Sequence, residues 1–261
     1  MARTAVAKKK KAEVIAFNPD MFSADAGAGL TNLGTEDLAM PFLRILQKTS
    51  PELDEIDARA GDIYNTVTKE VLNGSDGVLV INCAYRLEHI EWEPLGQGSK
   101  APFNIYPAGT TLPDTFRNED DKDFNDYVVD GDGRYLERTA QHYVLTLDGE
   151  GVTQQALVSM KTTQFKKSKQ WNSGLKAAKM KDSNGHLFVP PRYAQIFRLK
   201  THKEENKKGS WFGWEISKEG YIDNANLYAE AKMFAESISA GQVNVQHQRE
   251  ESKVKQEEVP F

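Results

Sequence analysis

The stretch VLVINCAYRLEHIEW, from Val78 to Trp92, decides the fold. It is nearly unbroken in the residue types that favour strands, and it is longer than an average strand. We therefore predict one long, bent strand that contains a bulge. The turn signals Asn73-Gly74 and Asp76-Gly77 precede it and separate it from the weakly alternating stretch GDIYNTVTKEVL.

The elements that follow this strand predict the architecture. Strands at residues 141–147 and 153–160 flank a hairpin signal, residues 161–181 are predicted as a helix, and strands at 192–202 and 210–216 flank the polar turn KEENKKG. This is the order of elements in an OB barrel. We expect a mainly β fold with added helices (α+β), an elaborated five-stranded OB barrel whose helix lies between strands 3 and 4. Other mixed α+β folds share this order and stay open as alternatives.

Two further helices are expected outside these strands. In TEDLAMPFLRILQKTSPEL, Thr35 is a candidate N-cap, and apolar residues at helical spacing as far as Leu46 predict a short helix that ends before Pro51. Residues 224–240 place apolar side chains at i, i+4, i+7 and i+11, which predicts an amphipathic helix.

Composition divides the chain into parts. Residues 1–35 are predicted as a flexible basic arm, residues 36–240 as a single OB-like domain, and residues 241–261 as a disordered tail. Residues 93–138 are rich in proline and acidic side chains, which predicts loop, and because they are long for a loop we interpret them as an insertion or a small subdomain.

Charge is sorted along the chain. Residues 161–208 hold thirteen Lys and Arg against three acidic residues, whereas the whole chain has a formal net charge of −5. Aromatic residues are interleaved with these cations. Cations that neutralise phosphate, combined with flat rings, suit single-stranded nucleic acid. The alternative is that the lysines are an ordinary solvated face and the tryptophans belong to the core.

Strand alternation separates the candidate binding residues from the core. On RYAQIFRLK the cations Arg192, Arg198 and Lys200 share one side of the predicted strand. On SWFGWEIS, Trp214 lies on the apolar side and is predicted as core, while Trp211 lies opposite and is the best candidate for stacking on a base. The candidate DNA-binding residues are Lys166, Lys167, Lys169, Trp171, Lys176, Arg192, Tyr193, Arg198, Lys200, Lys207, Lys208 and Trp211.

Other classes of protein have weak support. No apolar run reaches the eighteen residues of a membrane span, so no membrane partner is expected. The single Cys83 lies in an apolar run, which predicts core filling and a reducing compartment. Asp114 and Asp120 with Lys122 imitate a nuclease pattern but are too close together, and the five His show no metal-ligand spacing. We expect no enzymatic activity, no cofactor and no metal.

The C-terminal sequence and three internal stretches resemble a known group. The end EEVPF is similar to the acidic Pro-Phe tip with which bacterial and phage single-stranded DNA-binding proteins recruit polymerases, nucleases and helicases. FLRILQKTSPEL, AGDIYNT and TTQFKKSKQWN resemble tailed-phage proteins of the OB-fold single-stranded DNA-binding type. The resemblance assigns partner binding to Glu257, Glu258, Val259, Pro260 and Phe261. Arg249, Lys253 and Lys255 make this tail less acidic than the family pattern.

The resemblance implies a function and a location. We expect a non-catalytic phage protein that coats single-stranded DNA in the host cytoplasm during replication, recombination or repair, with phage polymerase, helicase or nuclease as protein partners. The first alternative is a structural or assembly protein of the virion, and the second is a metal-dependent nuclease. The sequence leaves open RNA as a ligand and assembly into a homo-oligomer.

Overall fold

The long strand predicted from the sequence is present in the computed structural model as β4, Val78–Trp92. The structure describes residues 20–23, 25–34, 37–94, 97, 100–118, 125–149, 151–207, 209–243, 245–247 and 249. The chain divides into two units, residues 1–38 and 39–261. The first unit contains the short helix α1, Asp20–Ser23. All the elements considered below belong to the second unit.

The second unit is mainly β, which confirms the coarse fold prediction. Its helices are α2, Phe165–Ala177, and α3, Ala225–Ser239. Its other strands are β1 Leu43–Ile45, β2 Ile63–Asn65, β3 Val71–Leu72, β5 Asn104–Pro107, β6 Thr115–Phe116, β7 Asp126–Val128, β8 Tyr135–Leu147, β9 Thr153–Lys161, β10 Met180–Lys181, β11 Leu187–Phe188, β12 Gln195–Asn206 and β13 Gly209–Tyr221. No helix in the described part of the chain is long and apolar enough to cross a membrane.

Strand β4 organises the large sheet because it pairs along both edges. On one edge it pairs with β8 over nearly its whole length. On the other edge, residues 78–81 pair with β12 and residues 88–91 pair with β5. β8 pairs in turn with β9 and β7, and the hairpin of β12 and β13 completes the order β13-β12-β4-β8-β7-β6.

A bulge in β4 changes which side chains face each side of the sheet. The register shifts between Asn82 and Ala84, as the predicted bulge requires. Before the bulge, Val80 faces the side of the sheet that α2 covers. After the bulge, the even-numbered residues face the opposite side, which we call the outer face. An extra residue in a strand reverses the alternation. Ile90 and Trp92 therefore lie on the outer face of the sheet.

The two faces of the sheet carry separate cores. The first core includes Trp171, Phe197, Leu199 and Trp214. The second packs α3 against the opposite face through Phe234 and Ile238, among other residues. Cys83 belongs to this second core, where burial raises the pKa of its thiol to about 12. The core-filling role predicted for this cysteine is confirmed.

The five-stranded closed barrel is not shown. None of the sheets formed by the described residues closes on itself, because β9 and β13 do not pair. The small sheet of β1, β2 and β3 contributes Leu43, Ile45 and Ile63 to the first core instead. The helix predicted between strands 3 and 4 is present as α2, which lies between the β8–β9 hairpin and the β12–β13 hairpin.

Three local predictions need correction. The short helix expected before Pro51 is wrong in the described residues, because Leu43–Ile45 form β1 and alternate in burial; Thr35 lies outside the described residues. Pro41 lacks the N–H that a helix would use, and pairing with β2 supplies the hydrogen bonds of a strand.

Residues 93–138 contain β5, β6, β7 and the start of β8 and are not only loop. Arg192–Ala194 form a 3-10 turn that precedes β12, so Arg192 and Tyr193 do not lie on that strand.

A fully buried histidine connects the sheet to α2. Asn82 Nδ2 donates a hydrogen bond to His142 Nδ1 at 3.0 Å, so the ring proton is on Nε2 and is donated to Ser168 Oγ at 2.8 Å. The ring stacks on Trp171 with centroids 4.6 Å apart. Burial, together with the charge of Arg192, lowers the pKa of His142 from 6.5 to about 3.

We expect this histidine to make the protein sensitive to acid. Between pH 6.5 and about 3 the unfolded chain binds a proton at this position that the folded chain does not bind, so stability is lost as the pH falls. One such proton changes the free energy of unfolding by about 1.4 kcal/mol per pH unit. The free energy of unfolding, measured with urea at several pH values from 7 to 4, should fall less steeply with decreasing pH in His142→Gln than in the wild type. His186→Gln, at an 80 % exposed side chain, should keep the wild-type slope; equal slopes in all three proteins would contradict the prediction.

Candidate nucleic-acid interface

Two neighbouring cavities form one groove on the outer face of the sheet. Their volumes are about 390 and 440 Å³, and both are lined by Phe42, Arg44, Ser159 and Lys161. We call this combined depression the β1 groove. It passes along β1, with the outer faces of β8 and β9 on one side and β13 on the other.

The groove exists because β1 and side chains, rather than a paired strand, occupy the gap between β9 and β13. Phe42 makes an isolated parallel bridge with Leu157, on β9. On the other side, Gln47 binds both the N–H and the carbonyl of Phe212, at 2.9 Å each. Gln164 Oε1 accepts the N–H of Trp214 at 2.8 Å. These amide side chains satisfy the backbone groups of Phe212 and the N–H of Trp214 on this edge of β13, although the sheet stays open.

The groove is lined by more positive than negative charge. Five Lys and Arg line it against one carboxylate, Glu137, among the residues that the structure describes: Arg44, Lys48, Lys69, Lys161 and Arg249. Two of these cations have structural roles. Arg44 pairs with Glu52, and Arg249 binds the carbonyls of Glu93 and Pro94.

The remaining three cations are better placed to bind a ligand. Lys48 is exposed and donates to Ser210 Oγ at 3.2 Å. Lys69 is exposed beside the Tyr64 ring, 5.6 Å from its centroid. Lys161 is 3.0 Å from Glu137 but keeps 36 % of its side chain exposed. Because the Lys161 side of this pair is open to solvent, its ammonium group can also contact a phosphate.

Trp211 lies at the β13 side of the groove, as strand alternation predicted for an outward side chain. Its ring is partly exposed, and its Nε1 donates to Glu204 Oε2 at 3.1 Å. Burial alone would raise the pKa of Glu204, but the hydrogen bond and charge of Lys167, with a contribution from His202, hold it below its usual value. A charged Glu204 therefore fixes the edge of the indole and leaves its face available.

The backbone at the end of β9 is strained next to the groove. Thr162, which lines the cavity near Trp211, has a φ of 46°, in the left-handed region that a β-branched residue rarely adopts. Strain of this kind costs about 1–3 kcal/mol and is concentrated at functional sites. It turns the chain sharply from β9 into α2, so that Lys161 and Gln164 both reach the groove.

The candidate residues on α2 separate into two groups. Lys166, Lys169 and Lys176 are exposed on the side of the helix away from Trp171. Lys167 instead pairs with Glu204 and donates to the carbonyl of Trp214 at 2.5 Å. Trp171 is 4 % exposed and stacks on His142, so the structure places this ring in the core and leaves it no face for a base.

The other candidate residues are dispersed. Arg192 binds Asn172 and lies over the Tyr85 ring, and burial lowers the pKa of its guanidinium. Tyr193 packs against Tyr228 on α3.

Residues on and after β12 complete the set. Arg198 pairs with Glu219 at 2.8 Å, and Lys200 is partly buried on the same strand. Lys207 is exposed in the turn after β12, whereas Lys208 and the tip, Glu257 to Phe261, lie outside the described residues. Of the predicted residues that the structure describes, only Trp211 lines the β1 groove.

Sequence reasoning missed the groove cations outside the basic segment. Arg44 and Lys48 lie in FLRILQKTSPEL, a stretch that predicted a short helix and carried part of the resemblance but gave no binding residue. Lys69 has a φ of 63° in the turn between β2 and β3, where a non-glycine residue is uncommon. No periodicity in the sequence marks these positions, since they meet Lys161 only through tertiary packing.

The described residues also show whether the molecule offers the ligand set of a metal centre. Within the described ranges, no group of three or more His, Cys, Asp or Glu residues is arranged to hold a metal ion. The groove offers cations, amides, hydroxyls, rings and the carboxylate of Glu137 as its chemical groups.

The fold and the groove define a mainly β protein with an open, basic and aromatic surface depression. Residues 8–244 match the family model described as Pam3 phage gp34-like protein, and the chain belongs to that family. The family takes its name from a phage protein, which supports the bacteriophage origin implied by the resemblance. Searches of curated proteins and of solved structures found no match.

Proposed function

We propose that this protein binds single-stranded DNA without sequence preference, in the β1 groove, during phage DNA replication or recombination. The observation that carries the proposal is the combination in one groove of Lys48, Lys69 and Lys161 with the partly exposed ring of Trp211. Single strands are bound by a positively charged groove that follows the phosphates and by rings on which bases stack. Neither kind of contact selects a sequence.

The strand pairings support the finer proposal of an OB barrel that is open on one side. In that assignment β4, β8, β9, β12 and β13 are strands 1 to 5, and α2 lies between strands 3 and 4. OB domains bind oligonucleotides on the face of strands 2 and 3 and with the loop between strands 4 and 5. Here strands 2 and 3 are β8 and β9, whose outer side chains Gln141, Ser159 and Lys161 line the groove. The loop between strands 4 and 5 carries Lys207.

Two parts of the proposal extend beyond the groove. The exposed lysines of α2 stay predicted phosphate contacts on a separate surface. The C-terminal tip, which lies outside the described residues, is proposed to recruit a polymerase, helicase or nuclease because of its similarity to the acidic Pro-Phe tip.

The function is tested by fluorescence titration of labelled oligo-dT, a matching RNA and a duplex at several salt concentrations. We expect tight binding of oligo-dT, with log K falling linearly with log salt by about 0.7 per neutralised phosphate. Equal affinity for RNA would make the ligand class single-stranded nucleic acid in general. Weak binding of all three would contradict the proposal and favour the alternative of a virion structural or assembly protein.

Trp211→Ala should lower the affinity for oligo-dT about tenfold, because stacking on one base contributes about 1–3 kcal/mol. Trp211→Phe keeps a ring and should retain most of the affinity. Circular dichroism and the urea midpoint provide the control for folding, since Glu204 keeps Lys167 as its partner in both variants. Unchanged affinity of a folded Trp211→Ala protein would remove this residue from the site.

A further inference from the structure

Four aromatic side chains form a row that leads away from the β1 groove. Trp92 on β4 is directly opposite Tyr135 on β8, Tyr135 is opposite Tyr127 on β7, and Tyr127 is opposite Phe116 on β6. The ring centroid of Tyr127 lies 6.4 Å from that of Tyr135 and 5.9 Å from that of Phe116. We call these four residues the aromatic ladder.

The aromatic ladder shares its face with the β1 groove. Directly opposed residues on neighbouring strands project from the same face of a sheet. Trp92 lines the groove, so the other three rings continue from it along the outer face. Exposure increases along the row, from 4 % at Trp92 to 53 % at Phe116.

The strands that carry the ladder are held firmly to the sheet. Glu91, which is 2 % exposed, accepts hydrogen bonds from Arg134 and from the Tyr106 hydroxyl, both at 2.8 Å. Arg249 lies over Trp92 and Tyr135, 5.4 and 5.7 Å from their centroids. The covered end of the ladder is thus fixed by packing, and the Phe116 end lies on the edge strand β6, which pairs with β7.

Phe116 at the exposed end packs against Tyr127 and still keeps 53 % of its surface exposed. β6 has two residues, and both are exposed. A large exposed ring that continues a row of rings marks a binding surface more often than an isolated apolar residue does. The row spans three strand spacings, about 14 Å in all.

The charges near the ladder decide what kind of contact it can make. Asp114 and Asp130 are exposed, and Asp126 is paired with Arg117 at 2.5 Å. Among the described residues, the charges at the Phe116 end are mainly acidic, so this end of the ladder is poorly suited to neutralising phosphate. It can contribute stacking, which does not require positive charge on the protein.

We propose that the aromatic ladder is a second contact zone for the same single strand, in which bases that leave the β1 groove stack on Phe116. This inference rests on the proposed function. It predicts that the ladder contributes to the binding of long oligonucleotides but not of short ones, and that its contribution does not depend on salt.

The test compares Phe116→Ala with the wild type on oligo-dT of about 5 and about 16 nucleotides, near the limits of the site sizes of OB domains. Affinity for the long oligonucleotide should fall about tenfold, as expected for the loss of one stacking ring. Affinity for the short oligonucleotide and the slope of log K against log salt should not change. Phe116→Trp should restore tight binding of the long oligonucleotide.

Phe188→Ala is the matched control, because Phe188 is 43 % exposed on β11, outside the ladder. It should leave both affinities unchanged. If Phe116→Ala binds both lengths as the wild type does, or if Phe188→Ala shows the same loss, the inference is overturned while the function stands. If the wild type binds neither oligonucleotide, the proposed function itself is wrong.

Discussion

Replacing Lys48, Lys69 and Lys161 together by Gln should lower the affinity for oligo-dT about a hundredfold at about 0.1 M salt. Each phosphate contact adds about 0.7 to the slope of log K against log salt. One contact therefore raises the affinity about fivefold when the salt concentration falls from about 1 M to about 0.1 M. Three lost contacts should therefore also reduce the slope by about 2. Titrations at four or more salt concentrations measure both quantities.

The matched control is Lys166, Lys169 and Lys176 replaced together by Gln. This variant has the same change in net charge, on the exposed side of α2 and outside the β1 groove. If the groove holds the strand, the control loses much less affinity and keeps most of the wild-type slope. Equal losses in the two variants would contradict the assignment of the site to the groove, and a larger loss in the control would place the DNA on α2.

Gly74→Ala should lower the free energy of unfolding by about 3 kcal/mol, at the upper end of the range for overpacking. A Cβ at this position would lie 1.9 Å from the carbonyl oxygen of Gly61 and 2.2 Å from Thr201 Oγ1. Neither group can yield easily, because the Thr201 hydroxyl donates to Gly61 O at 2.5 Å and the Thr201 N–H donates to Gly74 O at 2.8 Å. Urea denaturation followed by circular dichroism measures the effect.

Gly149→Ala is the control for this substitution. Gly149 is exposed in the turn between β8 and β9, has no atom within 4 Å of an added Cβ, and does not have a positive φ. Its free energy of unfolding should stay within about 0.5 kcal/mol of the wild type. Equal urea midpoints for Gly74→Ala and Gly149→Ala would show that the segments around Gly74 move apart at little cost.

The parts of the fold that were predicted well depend on local patterns. Asn224 caps α3 by accepting from the N–H groups of Asn226 and Leu227, close to the predicted start of that helix. Strand alternation correctly separated Trp214, which is 3 % exposed, from Trp211, which lines the groove. Such features are determined within a few residues of sequence.

The candidate site was predicted less well because charge in a sequence does not say which side chains are already paired. Lys167 and Lys169 are nearly adjacent on α2, yet Lys167 is held by Glu204 and the carbonyl of Trp214. Trp171 has the composition of a stacking ring among lysines, but its helical position turns it onto His142 in the core. Burial and ion pairing depend on elements that are distant in the chain.

The sequence by itself determined the long strand β4 and its bulge, the two long hairpins, the helix between them and the amphipathic helix α3. The tertiary structure alone decided that Lys48, Lys69 and Lys161 share one groove, since Phe42, just before β1, bridges to β9 and Gln47, just after β1, binds the backbone of β13. It also decided that Gly74, readable in the sequence only as a turn residue, has no room for a side chain. The physical reason is that turns and alternation follow from local backbone preferences, whereas close approach and shared charge arise only when distant segments pack together.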